Sequence, residues 1–479
     1  MQPPSVETEY GRFRGTSDGG VVSYKGIPYG APPVGPLRWR APEPAKPWTG
    51  ERDCSAFGND PMQAKSARPL RGAAFSEDSL NLTIWSPEET PPEGAPVMVW
   101  LFGGGFMFGS GSNREMDGAA FARRGVVMVS PNSRTGIFGW LAHPLLSRES
   151  DRGVSGNYGL LDNVLALEWI RRNIARFGGD PKRITLFGCS SGAASVTSLL
   201  TMPGTQGLFQ HVILESSGSF RPLCPLDEAE RWGGMVGDDL AAMRALSADD
   251  LVAMGEKIGP AVRQRTTPRI LRPIWDGAII AHDEMDAFRD GAYYAVPAIV
   301  GSNIDEGGLH AATLPIRTPD EFRAYLEGNF GAQTDEASRV YPGRDEAEVF
   351  ASLSAVFGDT QFTLGARSLA RALSAREPRT FKYLFAQPAQ GKLPVHGGEQ
   401  VYVFGSGQNW DDDDRAASDG MQRMWTRFAF TGDPNGAGLP AWEPYDAKRD
   451  NHLNIARDCT TGAAWRTAPL DFLEAYYRR

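Results

Sequence analysis

A serine attacks a carbonyl only where the backbone holds its hydroxyl out and a base can reach it. Residues 183–192, RITLFGCSSG, have the local pattern for the first requirement. A β-branched apolar run enters Gly188-Cys189-Ser190-Ser191-Gly192 and leaves through AASVTSLL, which predicts a strand, a sharp turn and a helix. In such a G-x-S-x-G turn the central residue takes a strained conformation that projects its hydroxyl from the end of the sheet. Ser190 is therefore the candidate nucleophile, and Cys189, one position earlier, is not projected. Glycine is needed at 188 and 192 because side chains there would strike the neighbouring strand and helix. The N-terminus of the following helix also directs N–H groups and a positive dipole end toward a developing oxyanion. A second match, Gly15-Thr16-Ser17-Asp18-Gly19, lies among turn formers between short extended runs and reads as a hairpin loop.

The serine also needs a general base, usually histidine, and an acid that fixes the imidazole tautomer. The six histidines are His143, His211, His282, His310, His396 and His452. Where the nucleophile sits on such an elbow, the acid and then the histidine follow it along the chain. That order removes His143 and leaves His211 too close behind. His396 lies in the loop LPVHGGE, residues 393–399, after the apolar run Phe381–Phe385, and is the candidate base. The acid is expected in residues 301–308, GSNIDEGG, after the run Val296–Val300. The residues alone leave Asp305 and Glu306 equal, and an Asx-type turn would use the same types. His310, one helical turn on, reads as a packing or surface residue.

A glycine run, Gly103-Gly104-Gly105, follows the strand-like Val97–Leu101 and Phe102. Backbone N–H groups from such a loop, with the N–H of Ser191, can converge on an oxyanion. Phe102, Phe106, Met107 and Phe108 beside it predict an apolar wall suited to uncharged esters.

These residues require a frame, and the chain supplies one. Strand-like runs also occur at Val126–Val129 and His211–Leu214, and they alternate with helical patterns. The clearest helix carries Leu161, Leu165, Trp169, Ile170, Ile174 and Phe177 on one stripe and stops at Gly178-Gly179-Asp180-Pro181. Alternation of this kind predicts an α/β fold, an open and mostly parallel sheet with helices on both faces. Residues 220–272 and 309–379 are charged and helix-prone, and are expected to be insertions that form pocket walls or a lid within a single domain, 1–479. Asp411–Asp414 reads as a solvated loop or a helix N-terminus.

Composition sets limits. The 479 residues are 41% hydrophobic and 22% charged, enough for a large core. A net charge of −9 argues against a nucleic-acid or anionic-membrane partner. No run reaches the roughly 18 apolar residues of a membrane span, and the N-terminus lacks the pattern of a secretion signal. The four cysteines have no CxxC spacing, so neither a zinc site nor a disulfide framework is expected. The reading is a cytoplasmic monomer that acts on a small molecule without metal or organic cofactor.

Further motifs, in order, are Gly26-Ile27-Pro28-Tyr29-Gly30, Leu37-Arg38-Trp39, Ser76-Glu77-Asp78-Ser79-Leu80-Asn81-Leu82, Gly156-Asn157-Tyr158-Gly159-Leu160 and Phe428-Ala429-Phe430-Thr431-Gly432-Asp433-Pro434. With the elbow they resemble the type-B carboxylesterase/cholinesterase family over nearly the whole chain, most of all its bacterial para-nitrobenzyl esterases. The resemblance implies the α/β-hydrolase fold and hydrolysis of carboxylic esters. It assigns the acid to Glu306 through a D-E-G motif, the base to His396 through H-G-x-E, and the oxyanion donors to Gly104, Gly105 and Ser191. It also implies a structural ion pair between Arg38 and Glu77.

The departures are informative. Cys189 stands where the family usually has an acid, which removes a carboxylate from beside the pocket and speaks against cationic substrates. Phe102, Phe106 and Cys189 are accordingly the expected substrate-binding residues for neutral, apolar esters. Ser79 replaces the cysteine of the family's N-terminal disulfide, in keeping with a reducing compartment. A non-catalytic binding protein of this fold, an amidase and a thioesterase are the alternatives, and the presence of Ser190, Glu306 and His396 favours an enzyme.

Overall fold

The computed structural model describes residues 4–64, 69–261 and 271–478. Eleven strands form its main sheet. They are β1 Thr16–Asp18, β2 Val21–Pro28, β3 Asn81–Pro87, β4 Ala95–Leu101, β5 Val127–Pro131, β6 Gly179–Cys189, β7 His211–Glu215, β8 Ala298–Asn303, β9 Thr380–Phe385, β10 Asn451–Ile455 and β11 Thr460–Ala463. Across the sheet the order is β11-β10-β9-β8-β7-β6-β4-β5-β3-β2-β1. Neighbours from β5 to β10 run parallel. Antiparallel strands finish both edges.

Strands covered on both faces need unbroken apolar runs, which is why the central strands show no alternation. Every residue of β4 and β5 is buried. Helices Tyr158–Asn173, Ser191–Thr201 and Leu364–Ser374 contribute to the core on one face. Helix Asp412–Thr431 covers the other, over a cluster that includes Trp100, Phe121, Phe187 and Phe404. The edge of Trp100 meets Phe404 at a centroid separation of 5.0 Å.

Two strands differ from expectation. β6 begins at Gly179, because the glycines that stop the preceding helix pair at once with Ala95 before the ladder shifts between 179 and 184. β8 spans Ala298–Asn303 and not Val296–Val300. Pro297 has no N–H to give the ladder, while Gly301-Ser302-Asn303, expected as loop, pair with Tyr383-Leu384-Phe385. Ser17 lies exposed in β1, beside the Gly19-Gly20 turn that joins it to β2. Asp411 caps helix Asp412–Thr431 by accepting the Asp414 N–H at 2.9 Å. Asp414 itself is not solvated. Its carboxylate is buried and accepts from the Tyr402 hydroxyl at 2.6 Å and the Gln387 amide at 3.2 Å.

Helices Pro319–Phe330, Thr334–Val340 and Glu346–Gly358, a π-helical turn Asp359–Thr363 and helix Leu364–Ser374 occupy most of the 309–379 stretch. The 220–272 stretch holds Leu226–Gly233, Leu240–Ala245 and Ala248–Ala261, and its residues 262–270 lie outside the described residues. Buried ion pairs tie distant segments together. The Arg38 Nε donates to Glu77 at 2.7 Å, while its Nη1 donates to the carbonyls of Arg244 and Leu246 at 2.9 and 2.8 Å. Arg134 grips both carboxylate oxygens of Asp162, and both side chains are at most 3% exposed. Neither role of this second pair was legible from its residue types.

The chain leaves β4 for β5 on one side and returns to β6 on the other. That reversal opens a crevice at the carboxyl ends of β4 and β6, the usual ligand position in sheets of this kind. The elbow after β6 fits there only without a side chain at 192, since a Cβ on Gly192 would lie 2.0 Å from the Leu101 carbonyl oxygen. The opposing atom is backbone on a buried strand and cannot rotate away. Gly192→Ala is therefore expected to destabilise the fold by about 3 kcal/mol or more, read as a lowered denaturant midpoint. An unchanged midpoint would mean that the elbow can withdraw from β4.

Candidate active site

Ser190 follows the last residue of β6 and adopts φ 59° and ψ −122°, a conformation that non-glycine residues avoid. Such strain is worth roughly 1–3 kcal/mol and persists only where surrounding bonds overdetermine it. Here the Ser190 N–H donates to the Glu215 carbonyl at 2.9 Å, and its carbonyl accepts from Ala194 at 2.9 Å and Gly218 at 3.4 Å. The turn directs Oγ to the Nε2 of His396, 2.9 Å away. The Nδ1 of the same ring lies 2.6 Å from the Oε2 of Glu306. Phe362, from the π-helical turn, stacks on the imidazole at a centroid separation of 3.8 Å.

Loop geometry decides between the two acids. A parallel bridge pairs Asp305 with Val395, and the Asp305 N–H donates to the Pro394 carbonyl at 3.2 Å, which holds the 301–308 loop against the 393–399 loop. Glu306 then faces His396. The Asp305 carboxylate faces away, accepting the Gly308 N–H at 3.1 Å and the Ser354 hydroxyl at 2.5 Å. Asp305 braces the loop and Glu306 carries the contact.

Behind Glu306 lie groups that the sequence reading did not assign. Its Oε1 accepts from the Asn303 N–H at 2.6 Å and the Ser216 hydroxyl at 2.5 Å. Ser216 Oγ also lies 2.9 Å from Glu399 Oε1, and the Asn303 amide donates to Glu399 Oε2 at 2.6 Å. One hydroxyl carries one proton, so Ser216 can donate to Glu306 only if it accepts from Glu399. Burial, and next the charge of Glu306, raise the pKa of the Glu399 carboxyl, which is the direction that keeps its proton in place. Glu399 stands at the end of the LPVHGGE loop, and its fixed spacing from His396 was the signal available in the sequence.

Gly103, Gly104 and Gly105 pass beside Ser190, and together with Ser191 they line a pocket of about 690 Å³. This is within the range of small-molecule sites. Gly104 has φ 144°, and a Cβ there would lie 1.8 Å from the Phe108 carbonyl oxygen. Phe106, Phe108, Phe357, Phe362, Leu309 and His310 also line the pocket. The His310 ring stacks on Phe357, with centroids 3.7 Å apart.

Two of the expected substrate-binding residues are elsewhere. Cys189 is fully buried, and its Sγ lies within 4.8 Å of carboxylate oxygens of Glu215 and Glu399, below the elbow and out of the pocket. Phe102 packs against the aromatic core on the Trp100 side of the sheet and does not line the pocket, whereas Phe106 does. Cys189 ends β6 and Phe102 follows the last residue of β4, and at both positions the side chain turns toward the Trp100 side of the sheet. Arg221 and Arg272, not anticipated, reach the pocket wall instead. The expectation of neutral, apolar esters thus loses the support of Cys189 and Phe102 and keeps that of Phe106 and Phe108.

A serine on a strand-to-helix elbow, a histidine on it and a buried glutamate behind, delivered in that chain order by this sheet, define an α/β-hydrolase of the serine type. Comparison narrows the class. The model of the carboxylesterase family matches residues 2–473, and the chain belongs to that family and is an ester hydrolase. It is 41% identical over 457 residues to the fumonisin B1 esterase of Sphingopyxis macrogoltabida, covering 92% of this chain and 84% of that one. It is 32% identical to the para-nitrobenzyl esterase of Bacillus subtilis (strain 168), covering 95% of each. A solved para-nitrobenzyl esterase superposes with a TM-score of 0.86 at 30% identity, covering 99% of this chain and all of the other. A thermophilic relative superposes at 0.87 and 29% identity. Among the described residues no helix is long and apolar enough to cross a membrane.

Buried carboxyls give the fold a pH signature. Burial pushes Glu284 from 4.5 up to about 7, and Glu399 shifts in the same direction. Both bind a proton more tightly in the folded than in the unfolded chain. Their stabilising contribution is complete below the ordinary value of 4.5 and is lost as pH rises through about 7. The denaturant midpoint is expected to fall between about pH 5 and about pH 8, and to fall less steeply in Glu284→Gln and Glu399→Gln. Slopes identical to wild type in both variants would show that these groups are already ionised in the folded protein.

Proposed function

We propose that the chain hydrolyses carboxylic esters through an acyl-enzyme on Ser190, with His396 as base and Glu306 as acid. The observation that carries this reading is the 2.9 Å approach of His396 Nε2 to Ser190 Oγ, with Nδ1 held on Glu306. His396 takes the serine proton as Oγ attacks the ester carbonyl. The oxygen that gains charge is stabilised by the N–H groups of Gly104 and Gly105, in the loop after β4, and of Ser191, at the N-terminus of the elbow helix. Collapse of the tetrahedral species breaks the bond to the alkoxy oxygen, which receives the proton from His396 and departs as the alcohol. Water, deprotonated by the same imidazole, then attacks the acyl carbonyl, and Ser190 recovers its proton when the acid is released.

Glu306 stays ionised throughout. It fixes the tautomer that presents an unprotonated Nε2 to the serine, and it stabilises the imidazolium that forms. The hydrogen bonds from Asn303 and Ser216, together with the proton assigned to Glu399, keep the negative charge on the carboxylate that faces His396. The aromatic and leucine side chains of the pocket offer surface for hydrocarbon parts of the ester, and a 4-nitrobenzyl ester is a suitable probe.

Ser190→Ala is expected to lower kcat on 4-nitrobenzyl pentanoate by about 10⁵- to 10⁶-fold. Glu306→Gln, which keeps shape but reverses the tautomer preference, is expected to lower it by about 10⁴-fold. An organophosphonate should label wild type at Ser190, as read by peptide mass spectrometry. Retention of most activity by Ser190→Ala, or an adduct on another residue, would overturn the assignment of the nucleophile.

A further inference from the structure

Phe362 touches the imidazole that the acyl-transfer scheme uses twice, and that scheme gives it no part. Its ring stacks on His396 with the planes 17° apart and the centroids 3.8 Å apart. The side chain is buried and also lines the pocket. Both nitrogens of the imidazole are engaged in its plane, Nε2 with Ser190 and Nδ1 with Glu306, so that Phe362 supplies a contact on the face. Hydrogen bonds in the plane weaken gradually as a ring tilts out of it, whereas a close contact on the face resists tilting at once.

The backbone that carries Phe362 is unusual. Residues 346–374 run as one helical rod, but its middle, Asp359–Thr363, is a π-helical turn between helices Glu346–Gly358 and Leu364–Ser374. Such a turn takes up one extra residue, re-aims the side chains around it and occurs mostly at functional sites. It is held from three directions. Before it, a Cβ on Gly358 would lie 3.0 Å from the Glu306 Cβ, so the rod packs directly on the acid loop. After it, a Cβ on Gly365 would meet the carbonyl oxygens of Ser217 and Ser219 at 3.0 Å, on either side of the Gly218 whose N–H donates to the Ser190 carbonyl. At its first residue the buried Asp359 carboxylate accepts from Arg466 Nε and Nη2 at 2.7 and 2.6 Å and from the Tyr341 hydroxyl at 3.0 Å. Separate contacts thus fix the turn against the segments that carry Ser190 and Glu306, and Phe362 transmits that placement to His396.

We propose that Phe362 is a positioning residue. It holds the plane of His396 so that Nε2 serves first the serine oxygen and then the departing alkoxy oxygen, and its ring face favours the imidazolium between the two transfers. This rests on the acyl-transfer reading above. In that reading the proton moves from Ser190 Oγ to Nε2 as the bond from Oγ to the carbonyl carbon forms, and from Nε2 to the alkoxy oxygen as the ester bond breaks. Phe362 exchanges neither proton nor electron. The face of a phenyl ring is negative and attracts a cation lying over it. Since oxygens take both N–H directions, the face is where the imidazolium can meet such a ring. Its charge exists only while the ring holds the transferred proton, so the attraction lowers the barriers and leaves the resting enzyme unchanged.

The test uses two pentanoate esters whose leaving oxygens differ in their need for a proton. 4-Nitrophenoxide departs as the anion, whereas the oxygen of a 4-nitrobenzyl ester must be protonated as it leaves. In Phe362→Leu, kcat/KM is expected to fall by about 30-fold or more on 4-nitrobenzyl pentanoate and by about threefold on 4-nitrophenyl pentanoate. Loss of folded enzyme lowers both rates alike, so an equal fall on the two esters, or no fall on either, overturns the proposal. Phe362→Tyr keeps the ring face and is expected to hold the ratio of the two rates within about threefold of wild type. A ratio lost equally in Phe362→Tyr and Phe362→Leu also overturns it. Should Phe362→Leu fail to fold, Phe362→Met takes its place, since the flexible thioether fills irregular space without a ring face. A spectroscopic readout needs no change at 362. In wild type labelled at histidine Cε1, the His396 proton signal, identified by its loss in His396→Gln, is expected upfield of its position in the denatured chain at alkaline pH, because it lies over the phenyl ring. A signal that is not displaced overturns the stack. Ser190→Ala separates the two readings. Activity surviving in that variant defeats the acyl-transfer scheme, whereas dependence on Ser190 with a leaving-group preference indifferent to position 362 defeats only the role of Phe362.

Discussion

The approach of the elbow to the end of β4 is the constraint on which the site depends. Positions 188 and 192 both press on the Leu101 carbonyl, where a Cβ would come to 2.6 and 2.0 Å, so strand and helix meet with nothing between them but backbone. That closeness forces Ser190 into its positive-φ conformation and sets its Oγ over the crevice. It also lays the glycine run after β4 against the serine, because Gly103 would place a Cβ 3.2 Å from the Ser190 Cβ. One packing contact thus positions the candidate nucleophile and the backbone N–H groups opposite it. Its strain is borne by a sheet in which β4 is buried throughout and β6 is buried from Ile184 to Cys189, so that neither can yield locally at the elbow.

Charge is arranged around the site in two ways. Behind the histidine, three buried carboxyls lie near one another, and burial, with their mutual repulsion second, raises the pKa of Glu215 and Glu399. While Glu399 keeps its proton, Ser216 can donate to Glu306, whose other oxygen faces the imidazole. In front of the serine, two arginines meet at the Gly218 carbonyl. Ser190 lies between the His396–Glu306 pair and these two guanidinium groups. Low dielectric strengthens both effects.

Long-range ties keep these loops in register. Arg134 with Asp162, and Arg38 with Glu77, join segments far apart in the chain, and each arginine also donates to backbone carbonyls. Removal of one partner from such a buried pair leaves an uncompensated charge, so the pairs act as locks on topology more than as sources of net stability. The bridge between Asp305 and Val395 does the same work within the site, since it sets the acid loop beside the histidine loop.

Much of the fold and the chemistry was legible in the sequence because it is local. Apolar runs without alternation marked the parallel strands, glycines at fixed spacing marked the elbow, and chain order with loop position led to His396. For the acid, periodicity left Asp305 and Glu306 equal, and the family resemblance pointed to Glu306. Tertiary structure decided what depends on direction. Which of two adjacent acids faces the imidazole is set by a bridge to a loop 90 residues away. Cys189 lies in the core and Phe102 packs against it, because the side chains at the end of β6 and just past β4 turn to the Trp100 side of the sheet. Arg221 and Arg272 are 51 positions apart and have no shared motif, and only the packing around Gly218 brings them together. Sequence specifies which groups are available and the local shape that displays them, whereas distances between loops arise only when the sheet closes.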